Sequence, residues 1–139
     1  MWCGGDRRQF LFSGDAQLEG WWPSFQNPEH AALLADVDVY KVGHHGSLNA
    51  TPKRKLWDRL AKQGGDRRRI TLPSMCNGRH GHKENHTEVP RWKLVAALQG
   101  QSHLVDTHRL AGTDNPLFVG CVVRPGHQRL IEESFDQGC

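Results

Sequence analysis

Residues 37–47 read VDVYKVGHHGS, in which an alternating apolar run stops at a glycine and two histidines follow. Three valines alternate with polar residues in this run, and that period is typical of a β-strand. Gly43 ends the strand, and His44 and His45 come directly after it. Because ligands bind outside the carboxyl ends of the strands in α/β sheets, the sequence predicts a functional site at this position.

A second apolar run, Gln9–Phe12, ends in a similar way at Ser13, Gly14 and Asp15. The glycine allows a sharp turn, which leaves the carboxylate at the mouth of the sheet. Carboxylate and imidazole both suit Zn²⁺, and a carboxylate can bridge two ions. We therefore expect Asp15 to converge with the histidine pair. The simpler alternative is that Asp15 is only a turn or helix-capping residue.

Apolar periodicity in the rest of the chain predicts short strands and helices in the order β-α-β-α-β-α-β-β. The predicted strands are Gln9–Phe12, Val37–Val42, Arg69–Leu72, His103–Asp106 and Leu117–Val123. The predicted helices are Pro28–Ala35, residues 52–63 with Thr51 as the cap and Pro52 in the first turn, and Pro90–Leu98. The side chains expected to face inward are Ala32, Leu33, Leu34, Leu56, Trp57, Leu60, Trp92, Val95, Ala96 and Leu98. This order predicts an α/β (α+β) fold, with a sheet covered by helices on at least one face.

Composition bounds the class of protein. The chain has 139 residues, of which 37% are hydrophobic and 15 are glycine, so we expect one globular domain over residues 1–139 with its core at about 9–123. It contains neither a membrane-length apolar run nor a signal pattern, which predicts a cytoplasmic protein without membrane contact. The 4 cysteines form no C-x-x-C pair, which argues against a zinc ribbon. A net charge of +3 permits an anionic partner without identifying one.

The ordered motifs resemble the second half of a metallo-β-lactamase-fold metallo-hydrolase. The similarity is greatest to the ComEC-like subgroup, which is related to the soluble domain of a DNA-uptake channel protein. The motifs that carry it are Gly14-Asp15, a Trp-containing helix, Leu34–Ser47, Asn49–Pro52 and Glu88–Arg91. The resemblance implies the C-terminal βα half of an αβ/βα sandwich. It also implies that Asp15 bridges two metal ions, and that His44 or His45 binds one of them.

The family takes its other metal ligands from an H-x-H-x-D-H segment in the N-terminal half of the fold, and no such segment precedes Asp15 here. The resemblance therefore implies a fragment, a split protein or a degenerate product, with an incomplete site for two Zn²⁺, Mn²⁺ or Fe ions. In its complete form the protein would hydrolyse an ester or a phosphodiester, such as DNA or a nucleotide, through a metal-activated hydroxide. We expect the isolated chain to be inactive as an enzyme. We also expect it to self-associate or to bind an N-terminal half, because one sheet face would be exposed.

Three further histidines, His80, His82 and His86, lie in the segment RHGHKENH at residues 79–86. The resemblance implies that this loop lies near the site mouth, as does Ser47. The order of residues differs from H-x-H-x-D-H, so we favour a solvated loop that takes up transition metals only opportunistically.

Between the adjacent histidines, strand alternation favours His44 as the metal ligand and His45 as a supporting residue, unless Gly43 breaks the strand. The four tryptophans in helical segments are expected to be core or interface residues, namely Trp21, Trp22, Trp57 and Trp92. Two other functions stay open. One is a non-catalytic binding or assembly domain, and the other is a basic nucleic-acid-binding module that uses the Lys53–Lys55 and Arg67–Arg69 runs.

Overall fold

Every strand of the central sheet runs parallel to its neighbours in the computed structural model of the chain. The structure describes residues 8–47, 49–60, 69–75, 81–82, 84–85 and 87–107. Within them the four-stranded sheet has the order β1-β2-β3-β4. The strands are β1 (Gln9–Phe12), β2 (Val37–Val42), β3 (Ile70–Pro73) and β4 (His103–Leu104). The predicted α/β class is confirmed at this level.

Four α-helices in the described residues connect these strands, and two of them follow one another between β1 and β2. They are α1 (Leu18–Gln26), α2 (Pro28–Ala35), α3 (Lys53–Arg59) and α4 (Trp92–Gln101). Periodicity gave no bounds for α1 because Gly20 and Pro23, both poor helix formers, interrupt its pattern. The Asn27 side chain accepts hydrogen bonds from two backbone amides of α2, which begins at Pro28 as predicted.

All four helices pack on one face of the sheet. A single cluster of buried side chains joins residues of every helix to β2 and β4, with Tyr40 and Leu56 fully buried at its centre. The reason is topological: right-handed crossovers between sequential parallel strands put each connection on the same side. The helix contribution to this cluster is Trp21, Phe25, Leu34, Leu56, Leu94 and Leu98.

No helix of the described residues packs on the opposite face, which we call the helix-free face. It carries a second and smaller cluster built around Val39, Ile70 and Val105. Phe10 pairs with Val39 in the β1–β2 register and therefore lies on this face. Phe10 and Phe12 are 56% and 71% exposed, and their rings stack with centroids 6.4 Å apart. A pair of exposed aromatic rings on one edge strand is an unusual surface for a monomer.

Charged side chains tie the starts of three strands together at the amino edge of the sheet. Asp38 accepts one hydrogen bond from the Arg8 guanidinium at 2.8 Å and another from the backbone amide of Gln9 at 2.9 Å. Arg69 is buried and donates from Nε to the Val37 carbonyl at 2.9 Å. Burial lowers the pKa of Arg69, and the charge of Asp38 partly offsets that fall. This cluster holds β1, β2 and β3 in line at the edge that lies away from the predicted site.

Several predicted details of the helices are wrong. In α2 only Leu34 is buried, whereas Ala32 and Leu33 are exposed, because this short helix presents one narrow stripe to the core. Trp92 is 65% exposed because it is the first residue of α4, outside the stripe formed by Leu94 and Leu98. Ala96, on the same helix, is exposed as well.

The predicted helix ends also need correction. Thr51 does not cap α3: it is buried near Tyr40, and Pro52 is the residue before the helix. The helix ends at Arg59, and residues 61–68 lie outside the described part of the chain. At the other end of the chain, α4 continues through Gly100, since the backbone and hydroxyl of Ser102 bond the Leu98 carbonyl beyond it.

Of the strand predictions, β1 and β2 have the bounds expected, β3 is displaced by one residue, and β4 ends at Leu104. Leu117–Val123 and the Trp57 side chain lie outside the described residues. Of the tryptophans, Trp21 is buried in the core, whereas Trp22 is 47% exposed. No helix in the described ranges has the length and apolar character needed to cross a bilayer.

The stacked pair Phe10 and Phe12 predicts that the chain self-associates through its helix-free face. Changing both residues to Gln should weaken association at least about tenfold, since each buried Phe contributes about 1.5–3 kcal/mol. Sedimentation equilibrium measures this directly. Leu18→Gln is the control, because Leu18 is 42% exposed on α1. A wild-type chain that stays monomeric at high concentration would contradict the prediction.

Candidate functional site

The carboxyl ends of β1 and β2 lie side by side. Phe12 pairs with Lys41 in the parallel register, so the residues that follow each strand leave the sheet together. A Cβ atom added to Gly43 would lie 2.5 Å from the Gly14 carbonyl oxygen and 2.8 Å from the Ser13 hydroxyl. The two turns are therefore in contact, and only a residue without a side chain fits at Gly43.

The turn after β1 presents Asp15. The amide of Ala16 donates to the Ser13 carbonyl at 3.0 Å, and Gly14 has a left-handed φ of +54°. Asp15 is exposed at this turn, and its charge acts on the Lys41 ammonium. The sharp turn predicted from the sequence is present, and it delivers a carboxylate to the carboxyl edge of the sheet.

The turn after β2 has an unusual backbone. His44, His45 and Gly46 have positive φ angles of 44°, 53° and 78° in succession. Only the glycine adopts this region without penalty, and each non-glycine residue there costs about 1–2 kcal/mol. Hydrogen bonds from Gly46 to the Gly43 carbonyl and from Ser47 to the His44 carbonyl, both 3.0 Å, close the turn. Strain of this kind, held by surrounding structure, is typical of functional sites.

Both imidazole rings of this turn are oriented through Nδ1. His45 donates from Nδ1 to the Ser74 carbonyl after β3, at 3.0 Å, and the neutral ring then has its lone pair on Nε2. The Nδ1 atom of His44 lies 3.1 Å from the Ser47 hydroxyl. The strand ends at Val42, so the alternation used to choose between the histidines does not reach them. A carbonyl-held Nδ1 is common in metal-binding histidines, so this geometry fits His45 as a ligand or as a supporting residue.

The start of α4 holds the histidine turn from the helix side. Arg91 donates its backbone amide to the Gly46 carbonyl at 3.2 Å, and its side chain lies 3.4 Å from the Glu88 carboxylate. Gly46 is buried, and a Cβ there would lie 3.3 Å from Pro90 and 3.6 Å from Leu94. Two segments that are far apart in sequence, residues 43–47 and 88–91, are thus in direct contact.

Two aromatic residues of the core, Trp21 and Tyr40, pack beside the site. Trp21 donates its indole N–H to the Ala50 carbonyl at 3.0 Å, which joins α1 to the segment before α3. Tyr40 is fully buried, which raises the pKa of its phenol, and interactions with Thr51, Ser13 and Gly43 partly offset that rise. The Tyr40 side chain is therefore close to both strand ends and to Thr51, which precedes α3.

Sequence reasoning overlooked one carboxylate at this edge. Asp106 follows β4 and is only 7% exposed. The next residue, Thr107, exchanges two hydrogen bonds of 2.9 Å with the backbone of Met75, which adjoins the Ser74 carbonyl that holds His45. The signal was available, because Asp106 ends a predicted strand much as Asp15 follows one.

The donor types at this edge suit a metal ion, but their number does not complete a site. Among the described residues, no group of three or more His, Cys, Asp or Glu side chains is close enough to hold one. Asp15 and the histidine pair occupy adjacent turns without forming such a group. A catalytic zinc uses three protein ligands, so these residues are at most a part of one site.

The remaining candidate residues are Ser47 and the three histidines of residues 79–86. Ser47 is half-buried and contacts His44 as described. His82 is exposed, and its backbone is bonded to Thr87 in both directions, at 3.0 and 3.1 Å. His80 and His86 lie outside the described residues. The loop thus closes on itself through Thr87.

Comparisons of the chain with protein-family models, with curated proteins and with solved structures found no match. The resemblance to the metallo-β-lactamase superfamily therefore rests on the motifs themselves, and the roles of Asp15, His44 and His45 stay predictions.

The contact at Gly43 predicts a specific loss of stability. Gly43→Ala should lower the free energy of unfolding by about 1–3 kcal/mol, because the new methyl group meets a backbone carbonyl that cannot move independently. Gly100→Ala is the control: nothing lies within 4 Å of its Cβ position in α4. That change should raise stability by about 0.8–1 kcal/mol. Urea unfolding of both variants measures the two effects. A neutral Gly43→Ala would show that the strand ends are not in contact.

The left-handed turn predicts a reversal of the usual preference for alanine over glycine. His44→Gly should be about 1 kcal/mol more stable than His44→Ala, because only alanine retains the penalty of positive φ. At an ordinary helical position the order is opposite, so Ala96→Gly in α4 should cost about 0.8–1 kcal/mol. Thermal unfolding of the three variants tests this. If His44→Ala is the more stable of the pair, the turn does not have this backbone.

Proposed function

We propose that this chain supplies the C-terminal part of a metal-dependent hydrolase of the metallo-β-lactamase superfamily, similar to the ComEC-like proteins. In its complete form the hydrolase acts on an ester or a phosphodiester, with a nucleic acid or nucleotide as the anionic substrate. The observation that supports this most is the contact between Gly14 and Gly43, which brings the turn of Asp15 beside the turn of His44 and His45.

A second observation is independent of that contact. The Glu88–Arg91 segment, which forms the last motif of the resemblance, binds the histidine turn through the Arg91 amide. Motifs that are far apart in sequence but adjacent in the fold are expected when they serve one site. The strained turn supports the same reading, because non-glycine residues with positive φ cluster at functional sites.

Asp15 and one of the two histidines are the residues that would bind metal, by analogy with the family. Because the described residues bring together fewer than three donors, the remaining ligands must come from outside them. We assign the chain's own residues a positioning role. The Ser74 carbonyl fixes the ring of His45, and Ser47 contacts the ring of His44.

The alternative is a non-catalytic binding or assembly domain that retains half of the fold. Two observations favour it. The described residues lack a three-donor metal group, and the helix-free face presents Phe10 and Phe12 to a partner. Both proposals require a partner for that face, and they differ in whether metal binds when the partner is present.

Metal analysis of the purified chain, alone and mixed with the N-terminal half of a complete ComEC-like protein, separates the two proposals. Alone, the chain should bind substoichiometric Zn²⁺ and hydrolyse no phosphodiester, because its ligand set is incomplete. The mixture should bind about two metal equivalents and show hydrolysis that a chelator abolishes. Phosphodiesters are to be assayed before β-lactams.

Variants of the mixture assign the residues. Asp15→Asn should abolish hydrolysis, His44→Ala should remove one metal equivalent, and His45→Ala should mainly lower the rate. The opposite pattern for the histidines would exchange their roles. Gly100→Ala serves as the folded control. Robust, chelator-sensitive hydrolysis by the chain alone would overturn the half-fold proposal. A mixture that forms a complex without metal would establish the assembly domain instead.

A further inference from the structure

Lys41 is an unusual residue at its position in the sheet. It lies between Tyr40 and Val42, which are both buried on the helix face, so its side chain leaves from the helix-free face. Its cross-strand partners are Phe12 on β1 and Leu72 on β3, both apolar. Lys41 is half-buried, and the aliphatic part of its side chain can pack on these apolar neighbours, but the partial loss of hydration is a cost to its ammonium.

The ammonium of Lys41 lies toward the candidate site. Nζ donates to the Val42 carbonyl at 3.2 Å, which brings the charge to the carboxyl end of β2, next to Gly43. The charge of Asp15 acts on it from the neighbouring turn. The ammonium is therefore at the edge where Asp15 and the histidine turn meet.

The described residues compensate the charge of the Lys41 ammonium only in part. Burial lowers the pKa of Lys41, and Asp15 offsets that fall only in part. Within the part of the chain that the structure describes, the ion pairs of 4.0 Å or less join Arg8 to Asp38 and Arg91 to Glu88, and none includes Lys41. An ammonium has three N–H donors, and the Val42 carbonyl uses one of them. The described residues give the ammonium no second hydrogen bond, and the ammonium lies at the carboxyl end of β2.

We propose that Lys41 is the anion-binding residue of this site and that it takes an oxygen of a phosphodiester substrate. This inference rests on the proposed function and adds to it the group that recognises the substrate. A lysine binds phosphate as a point charge, and partial burial between Phe12 and Leu72 strengthens that interaction. The other role that Lys41 could have is to pair with Asp15 alone, which the experiment distinguishes.

The experiment is an NMR titration of the full chain, without metal and at low salt, using a dinucleoside monophosphate. Inorganic phosphate and acetate are titrated in parallel to separate a phosphodiester from other oxyanions. The amide shifts should centre on residues 41–45. Lys41→Gln should weaken binding at least about fivefold, as expected for loss of one charge-assisted hydrogen bond, and Lys41→Arg should retain most of it.

The matched control is Lys55→Gln, which removes the same charge from an exposed lysine on α3 that lies over the Trp22 ring. It should change binding less than about twofold. Equal binding by wild type and Lys41→Gln would overturn the proposal and leave Lys41 as a partner of Asp15 only. If Lys41→Gln does not fold, wild-type shifts that centre away from residues 41–45 would overturn it equally. Tighter binding of acetate than of the phosphodiester would contradict the assigned substrate class.

The titration contains no metal and measures no hydrolysis, so its outcome is separate from that of the proposed function. Anion binding at Lys41 without metal uptake in the two-half mixture would disprove the hydrolase and keep the anion site. Metal uptake and hydrolysis with an unchanged KM in Lys41→Gln would do the reverse.

Discussion

The approach of Gly43 to the Gly14 carbonyl is the contact on which the arrangement of the site depends. A side chain at Gly43 would occupy space 2.5 Å from that oxygen, so the two strand ends can meet only because the position is glycine. Their contact brings the turn of Asp15 beside the histidine turn, and it brings the Lys41 charge into the field of Asp15. Separation of β1 from β2 would disperse all the candidate groups together.

The buried core offsets the conformational strain of the histidine turn. Two adjacent histidines with positive φ cost about 2–4 kcal/mol together, and the surrounding structure must offset this. The burial of a side chain such as Tyr40 or Leu56 stabilises the fold by a comparable free energy. The Arg91 amide also donates a hydrogen bond directly to the turn. Every helix of the described residues packs on one face, and the opposite face presents the exposed Phe10 and Phe12 rings.

Local patterns predicted the parts of this structure that local forces determine. The bounds of β1 and β2 follow from apolar runs that end at glycine, and their parallel adjacency follows from the handedness of the crossover. The exposure of Trp92 and the burial of Thr51 depend on tertiary packing, which periodicity does not report. Lys41 and Asp106 escaped attention because one resembles an ordinary polar strand residue and the other lies beyond the motifs of the resemblance. The choice between His44 and His45 stays a prediction without its original basis, since the strand ends at Val42 and a left-handed turn has no strand alternation.

The most direct test is a set of inter-strand NOEs measured in solution. The account predicts NOEs between Gly14 and Gly43, as expected for neighbouring strands about 4.8 Å apart. The β2–β3 pair of Val39 and Ile70 serves as the internal reference. Gly14–Gly43 NOEs alongside that reference would establish the shared edge of Asp15 and the histidines. Their absence while the reference NOEs persist would contradict it.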